Sequence, residues 1–255
     1  MSKIVVSNDT PTTMKALGRY FLFISQLLVN REKAATYYKL LVEEAMVIGI
    51  DSIFIVAIVS TFIGAVSCIQ SAVNLVNPLI PMSTLGFIVR DMETQELAPT
   101  ITCVVLAGKV GSNIAGGLGT MRITEQIDAL EVMGINSISY LVLPKIIVSM
   151  VMFPLLCIMA AFLGIYGGYL AGTIAGIISP EEYIAGIRDS FSPYNIFFMI
   201  VKPFVFGFLI SSISAFKGYY TQGGAFEVGQ ASTTAVTNSC IAVLIADYLL
   251  AQLLL

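Results

Sequence analysis

Long apolar runs separated by short polar connections dominate this chain and predict helices that cross a membrane. A span needs about 20 predominantly apolar residues, and five stretches are long enough. Only 11% of the residues are charged, whereas a typical soluble domain has about 25%. The pattern predicts an all-α integral membrane protein whose five spans occupy about residues 45–73, 97–118, 145–177, 194–216 and 231–253.

The third apolar stretch, residues 139–178, is about twice as long as an ordinary span. Two spans are one interpretation, but no polar turn divides the stretch. Pro144 and Pro154 lie near its start, where a helix can begin or kink. We therefore expect one long span, roughly 145–177.

The first 44 residues are predicted to form a cytoplasmic or interfacial segment before a five-span domain of residues 45–255. Apolar residues recur at helical spacing from Met14 to Leu28, and Lys15 and Arg19 lie off this stripe. The pattern favours a helix lying along the membrane surface. A helix docked onto the protein is the alternative.

The connection of residues 74–95 is expected to leave the lipid core, because it contains helix breakers and charges, namely Pro78, Pro81, Gly86, Arg90, Asp91 and Glu93.

Residues 122–133 predict a short amphipathic helix after the second span. Its apolar side chains form one stripe at helical spacing, made of Ile123, Ile127 and Leu130. Thr120 or Thr124 is expected to cap its start, and Gly134 to close its end.

Charged side chains occupy the rest of this short helix, which begins at Arg122 and carries the carboxylates of Glu125, Asp128 and Glu131. Charge runs usually form a solvated helix face. Docking onto a soluble partner is the alternative, and the spacing by itself leaves both open.

Lysine and arginine are distributed unevenly, which orients the chain. The side that holds the N-terminus has nine of them: Lys3, Lys15, Arg19, Arg31, Lys33, Lys39, Arg122, Lys145 and Lys217. The opposite connections hold Arg90 and Arg188. Cytoplasmic loops carry the excess of positive charge, so the N-terminus is expected in the cytoplasm and the C-terminus outside.

Three charges fall inside predicted spans, where charges are costly and often functional. Lys202 and Asp247 are expected at similar depths on neighbouring spans, which predicts an ion pair; a proton or headgroup site is the alternative. Lys109 lies deeper on the second span and either faces a wet cavity or pairs with Asp247.

Glu96 lies at the outer mouth of the second span, just before Pro99, which is tolerated in a first helical turn. Glu96 is either a carboxylate that suits the start of a helix or a gate residue on a transport pathway, for which Pro99 and Lys109 are the further candidates.

The third span carries glycine at every fourth position, which predicts a close contact with another helix. A groove that contacts lipid is the alternative for these residues, Gly164, Gly168, Gly172 and Gly176.

The residue inventory removes several classes of function. The chain has no histidine, which excludes a Ser-His-Asp triad and a His-ligated metal site. No sequence of the nucleotide-binding type Gly-x4-Gly-Lys-Ser/Thr occurs, so any ATP that drives this protein is expected on another chain. A formal charge of −3 suggests no nucleic-acid partner. We expect neither a cofactor nor a metal, since the cysteines lie far apart without zinc spacing, at Cys68, Cys103, Cys157 and Cys240.

The chain resembles the MlaE-type permease family, membrane subunits of bacterial ABC transporters that move phospholipid between the inner and outer membranes. The resemblance rests on Glu96-Leu97-Ala98-Pro99, residues 107–112, Gly119-Thr120-Met121-Arg122, residues 124–134, Gly223-Gly224-Ala225, residues 228–236 and Asp247. The chain departs from the family at Gln95 and Lys109, where members often have arginine.

The resemblance implies an inner-membrane permease with no activity as an enzyme of its own and a role in outer-membrane lipid asymmetry. It implies a homodimer that carries phospholipid, a cytoplasmic ATPase that binds ATP and Mg²⁺, and a periplasmic MCE-domain protein. The helix of residues 122–133 would enter a cleft of the ATPase and couple the two subunits. A proton-coupled secondary transporter and a non-transporting membrane scaffold are the alternatives.

Overall fold

The computed structural model describes residues 12–27, 34–75 and 81–254, and these residues form helices and connections without a strand. Five helices in this part of the chain are long and apolar enough to cross a bilayer. The all-α class and the number of spans agree with the hydropathy pattern. The helices are α1 Thr12–Gln26, α2 Ala34–Ile48, α3 Ile53–Asn74, α4 Ser83–Met92, α5 Thr102–Leu106, α6 Ser112–Ile123, α7 Gln126–Val132, α8 Ser137–Ile174, α9 Pro180–Arg188, α10 Pro193–Tyr219 and α11 Ala225–Leu254.

Short segments of other helical geometry join some of these helices into longer rods. A 3₁₀ turn, Ile50–Ser52, continues α2 into α3. Two π-helical segments, Glu93–Ile101 and Ala107–Gly111, join α4, α5 and α6. The spans are therefore Tyr37–Asn74, Ser83–Ile123, Ser137–Ile174, Pro193–Tyr219 and Ala225–Leu253.

The two ends of the bundle differ. At one end α7 lies beside the start of α8, the end of α10 and the end of α1. At the other end α9 packs on the end of α3 and on α4, around a buried cluster of Cys68, Leu85, Val89, Ile178 and Tyr183. We call these the α7 end and the α9 end.

The helix that contains the second span begins at residue 83, whereas the hydropathy pattern predicts the start of the span at about residue 97. Tight packing on α9 explains the difference: a Cβ at Gly86 would meet the Tyr183 carbonyl oxygen. Arg90 is 3% exposed and donates to the carbonyls of Ile187 and Asp189 at 2.8 and 2.6 Å. The same guanidinium also donates to the Asp91 carboxylate. Because a carboxylate and two main-chain carbonyls bind it, its charge does not interrupt the helix.

The third span is a single unbroken helix from residue 137 to residue 174, so the one-helix interpretation is the right one. It begins before the predicted residue 145, because Asn136 accepts a hydrogen bond from the Ser139 amide and caps the helix there. Pro144 and Pro154 are both buried inside it.

Backbone contact between α3 and α8 forms the tightest helix pair. A Cβ on Gly64 would collide with the carbonyl of Gly164, and one on Gly167 would collide with the carbonyl of Thr61. Gly168 and Gly172 face side chains from the α9 end, including Tyr183 and Cys68. Gly176 has another role, since it adopts φ +66° after α8 and no atom lies within 4 Å of its added Cβ.

The N-terminal helix α1 combines both interpretations of its sequence. Phe23 is fully buried against Phe216 and Tyr219 of α10, and the Tyr20 hydroxyl lies 2.7 Å from Ser212 Oγ. The opposite side leaves Leu17 and Phe21 exposed, as expected for a helix at a membrane surface. Leu28 and residues 1–11 of the predicted segment lie outside the described residues.

Candidate functional site

A cavity of about 740 Å³ lies between α3 and the second span toward the α9 end. Its lining from α3 is apolar at Phe62, Ile63 and Val66 and mostly polar beyond them, with Ser67, Gln70, Ser71 and Asn74 followed by Leu75. The second span adds the apolar Ile88, Met92 and Leu97. Ser67 Oγ is buried and has no hydrogen-bond partner within the described residues. A cavity with one apolar end and one amide-rich end suits an amphiphile.

Sequence reasoning did not find this cavity, although a signal for it exists. Ser67, Ser71 and Asn74 recur at i, i+4 and i+7 within an apolar run, which places three polar side chains on one face of a spanning helix.

A three-membered charge cluster joins the second span to α10 and α11. Lys202 Nζ lies 2.8 Å from Glu96 Oε1 and 2.8 Å from Asp247 Oδ1, and it donates to the Gln95 carbonyl at 3.1 Å. The contact with Glu96 is a hydrogen bond, whereas the contact with Asp247 has only the proximity of an ion pair. Lys202 is fully buried beneath the Phe198 ring, whose centroid is 4.4 Å from Nζ. Two carboxylates around one ammonium leave the cluster with one excess negative charge if all three are ionised.

Pro99 explains how the cluster obtains its backbone acceptor. In an α-helical register the amide of residue 99 would bond to the carbonyl of Gln95, but proline has no amide hydrogen and its ring clashes with that carbonyl. The helix widens to π geometry over residues 93–101, and Lys202 takes the Gln95 carbonyl instead. Pro99 thus lies inside a helix rather than in its first turn, which corrects the sequence interpretation.

Lys109 does not join this cluster. It lies in the second π-helical segment, and its Nζ donates to the main-chain carbonyl of Asp51 in the 3₁₀ turn. The predicted pairing with Asp247 is therefore not the contact that the structure gives it, whereas a wet cavity beside this partly exposed side chain stays a prediction.

Glu93, which the sequence placed in a connection, is buried within the second span at 1% exposure. Its carboxylate packs on Gly164, where a Cβ would lie 2.7 Å from Glu93 Cδ. Glu93 Oε1 has no hydrogen-bond partner among the described residues. The glycine stripe of α8 therefore makes room for a carboxyl group as well as for another helix.

At the α7 end the predicted amphipathic segment is divided by a turn. Helix α6 runs through Ile123, Glu125 adopts a left-handed φ of 60°, and α7 follows as a separate helix. Gly134 ends the segment with φ +80°, as predicted. Thr120 and Thr124 do not cap the helix, since their hydroxyls bond to carbonyls one turn earlier.

The side chains of α7 divide between the protein and the solvent. Ile127 is fully buried, whereas Ile123 and Leu130 are half-buried. Glu125 and Asp128 are exposed, and Asp128 Oδ1 lies 2.6 Å from Nη1 of Arg122.

Glu131, the third carboxylate, is also exposed, but it has hydrogen-bond partners on two spans. Its Oε1 accepts the Tyr219 hydroxyl at 2.9 Å and lies 3.1 Å from Ser137 Oγ. These residues line a second cavity of about 550 Å³ at the α7 end. Burial raises the pKa of the neighbouring Tyr220, which also lines this cavity, while Arg19 and Arg122 lower it.

Among the described residues no group of carboxylates and cysteines could hold a metal ion.

Comparison with known proteins places the chain in a family. The family described as Permease MlaE matches residues 41–253. A "Probable ABC transporter permease protein" of Rickettsia bellii is 35% identical over 248 residues, which cover 97% of this chain and 95% of the relative. The "Probable ABC transporter permease protein slr1045" of Synechocystis is 35% identical over 237 residues, covering 93% and 87%.

A third relative carries a more specific name. The "Intermembrane phospholipid transport system permease protein MlaE" of Haemophilus influenzae is 27% identical over 241 residues, covering 94% of this chain and 92% of the relative. With its five spans, its short helix at the α7 end and a family match over most of its length, the chain belongs to the MlaE permease family of ABC transporter permeases.

Proposed function

We propose that this chain is the membrane subunit of an ABC transporter that moves phospholipid between the inner and outer membranes of a bacterium. The observation that carries the proposal is the cavity between α3 and the second span, whose mostly apolar lining includes a group of polar side chains toward one end of α3. Acyl chains would lie against Phe62, Ile63 and Val66, and the headgroup would lie near Gln70 and Asn74. The Haemophilus relative, named for phospholipid transport, supports this substrate class.

Energy would come from a cytoplasmic ATPase that binds ATP and Mg²⁺, because this chain contains no nucleotide-binding sequence of its own. Exposed Glu125 and Asp128 on and beside α7 would contact basic groups of that ATPase. Glu96 and Lys109, on the same rod as α6, would move with respect to the cavity when α7 is displaced.

The proposed location is the inner membrane, with the N-terminus in the cytoplasm and the C-terminus in the periplasm. The lysine and arginine asymmetry supports this orientation. The α9 end would then face the periplasm, where an MCE-domain protein would receive or deliver lipid.

The assembly would be a homodimer, and the exposed face of α11 supports it. Of the five spans, α11 is the least buried. The half near the α7 end exposes Gln230, Thr233, Thr234 and Thr237, and the neighbouring α6 exposes Asn113 and Thr120. Acyl chains offer no partner for amide groups, whereas small and polar side chains suit contact between helices.

The test is ATP-dependent lipid transfer between vesicles by the chain reconstituted with its ATPase. Val66→Trp fills the cavity and should abolish transfer, whereas Ile58→Trp, on the same helix but outside the cavity lining, should not. Transfer driven by an ion gradient without ATP would favour a secondary transporter. ATPase recruitment without any transfer would favour a scaffold.

A further inference from the structure

Three oxygens from three helical elements form a closed triangle at the α7 end. Tyr219 Oη of α10 lies 2.9 Å from Glu131 Oε1 of α7 and 2.8 Å from Ser137 Oγ of α8. The third side, from Ser137 Oγ to Glu131 Oε1, measures 3.1 Å. One carboxylate oxygen thus joins the short helix to two spans at once.

The two hydroxyls of this triangle belong to buried residues, since Ser137 is 2% exposed and Tyr219 is 6% exposed. Glu131 itself is exposed, and all three side chains line the cavity at the α7 end. A hydrogen bond to a charged acceptor is stronger than one between neutral groups. Displacing Glu131 would therefore cost the two hydroxyls the charged acceptor that they share.

Contacts with the bundle help to position helix α7, because the helix is short. It has seven residues and lies between two left-handed positions, Glu125 and Gly134. The ion pair from Asp128 to Arg122 links α7 to the residues just before it rather than to a third element. Ile127 of α7 is buried. Among the described residues, the Glu131 carboxylate is the polar group of α7 that contacts both α8 and α10.

We infer that Glu131, held by Tyr219 and Ser137, is a positioning residue that transmits displacement of α7 to α8 and α10, and that it is not a docking contact for the ATPase. The inference rests on the proposed function, in which an ATPase pushes on α7. It divides the carboxylates of this segment by role: Glu125 and Asp128 meet the partner, and Glu131 holds the helix to the bundle.

The test compares Tyr219→Phe with Tyr220→Phe in the complex with the ATPase. Both changes remove one phenolic hydroxyl at adjacent positions, but only the hydroxyl of Tyr219 contacts Glu131. Tyr219→Phe should leave ATPase binding and hydrolysis intact and lower the lipid moved per ATP hydrolysed by roughly tenfold or more, as expected for the loss of one hydrogen bond to a charged acceptor. Tyr220→Phe should keep the wild-type ratio.

Glu131 supplies a rescue series. Glu131→Gln keeps an acceptor oxygen and should retain more coupling than Glu131→Ala, while ATPase pull-down stays at the wild-type level in both. Loss of pull-down in Glu131→Gln would make Glu131 a docking contact and overturn the assignment. An unchanged transfer ratio in Tyr219→Phe would do the same.

A distance measurement tests the contact of Glu131 with Tyr219 without a transport assay. Nitroxide labels at exposed Val132 and Gln222, with the four native cysteines replaced by alanine, report the separation of α7 from the turn after α10. The distribution should be narrow in the wild type and in Tyr220→Phe, and broad in Tyr219→Phe. Equal widths would exclude this role of Glu131 even if transfer is impaired. If the Tyr219→Phe distribution is broad but the wild-type complex moves no lipid, the result would count against the proposed function alone.

Discussion

Lys202 Nζ lies 2.8 Å from Asp247 Oδ1 and joins α10 to α11 within the spans. Lys202→Asp or Asp247→Lys should each lower stability by about 3–5 kcal/mol, the cost of leaving a buried charge without its partner. The double swap should recover part of this loss but not all of it, because residue 202 also faces Glu96. Thermal unfolding in detergent measures the effect.

The control for this swap is the exposed pair of Lys39 and Glu43, which are 3.9 Å apart and mostly solvent-accessible. Exchanging these two should change stability by no more than about 1 kcal/mol. A double swap at residues 202 and 247 that is no more stable than the worse single variant would argue against a pair.

Replacing Gly167 by alanine should separate α3 from α8, because the added Cβ would collide with the Thr61 carbonyl. We expect a loss of about 1–3 kcal/mol from overpacking, and a larger loss and impaired assembly for Gly172→Leu. Gly108→Ala is the control, since no atom lies within 4 Å of its Cβ. Equal unfolding temperatures for Gly167→Ala and Gly108→Ala would contradict the close contact.

Reversing two carboxylates, Glu125→Lys with Asp128→Lys, should uncouple the ATPase, because attraction to basic groups becomes repulsion. One exposed ion pair contributes only about 0–1 kcal/mol, so a single reversal is expected to do little. The spans are unchanged, so the protein should still insert. Pull-down of the ATPase and ATP-driven transfer should fall together.

The control reverses two exposed carboxylates at the other end, Glu181→Lys with Asp189→Lys, and should leave ATPase pull-down unchanged. Wild-type pull-down in the Glu125 and Asp128 double variant would remove α7 as the docking element.

The orientation predicts opposite locations for the two termini. Reporter fusions at Ser2 should give a cytoplasmic signal, and fusions at Pro180 and Leu255 a periplasmic one, because five spans place the termini on opposite sides. A cytoplasmic signal at Leu255 would be incompatible with the proposed topology.

A bulky side chain on the polar face of α11 should weaken the homodimer. Thr237→Trp should lower the dimer fraction measured by light scattering in detergent, because small side chains permit close helix contact. Phe162→Trp changes an exposed position on α8 and should keep the wild-type dimer fraction. A monomeric wild-type protein would contradict the assembly itself.

The number of spans could be read from the sequence because it depends on the length and apolarity of each run, which are local properties. The left-handed end at Gly134 was predictable for the same reason. The start of the second span was not, because Arg90 and Gly86 look like helix breakers until the carbonyls and backbone of α9 are placed beside them.

The candidate sites likewise divide into features that the sequence predicts and features that depend on neighbouring helices. The similar predicted depths of Lys202 and Asp247 indicated that they pair. Depth gives no information about which third span lies beside the pair. The contact of Glu96 with Lys202 was therefore in neither of the two interpretations of Glu96, a helix-start carboxylate or a gate residue. Tyr219 and Ser137 were missed because a tyrosine and a serine at helix ends carry no pattern of their own until α7 folds back on them.

The two π-helical segments have a consequence for changes in chain length. Each π segment accommodates extra residues within a continuous rod from Ser83 to Ile123, and one residue corresponds to about 100° of rotation around a helix axis. The rotation of the rod that the π segments set directs Glu96 and Lys109 toward their separate partners. An insertion or deletion of one residue, which a loop absorbs, would here turn every side chain beyond it toward a different neighbour.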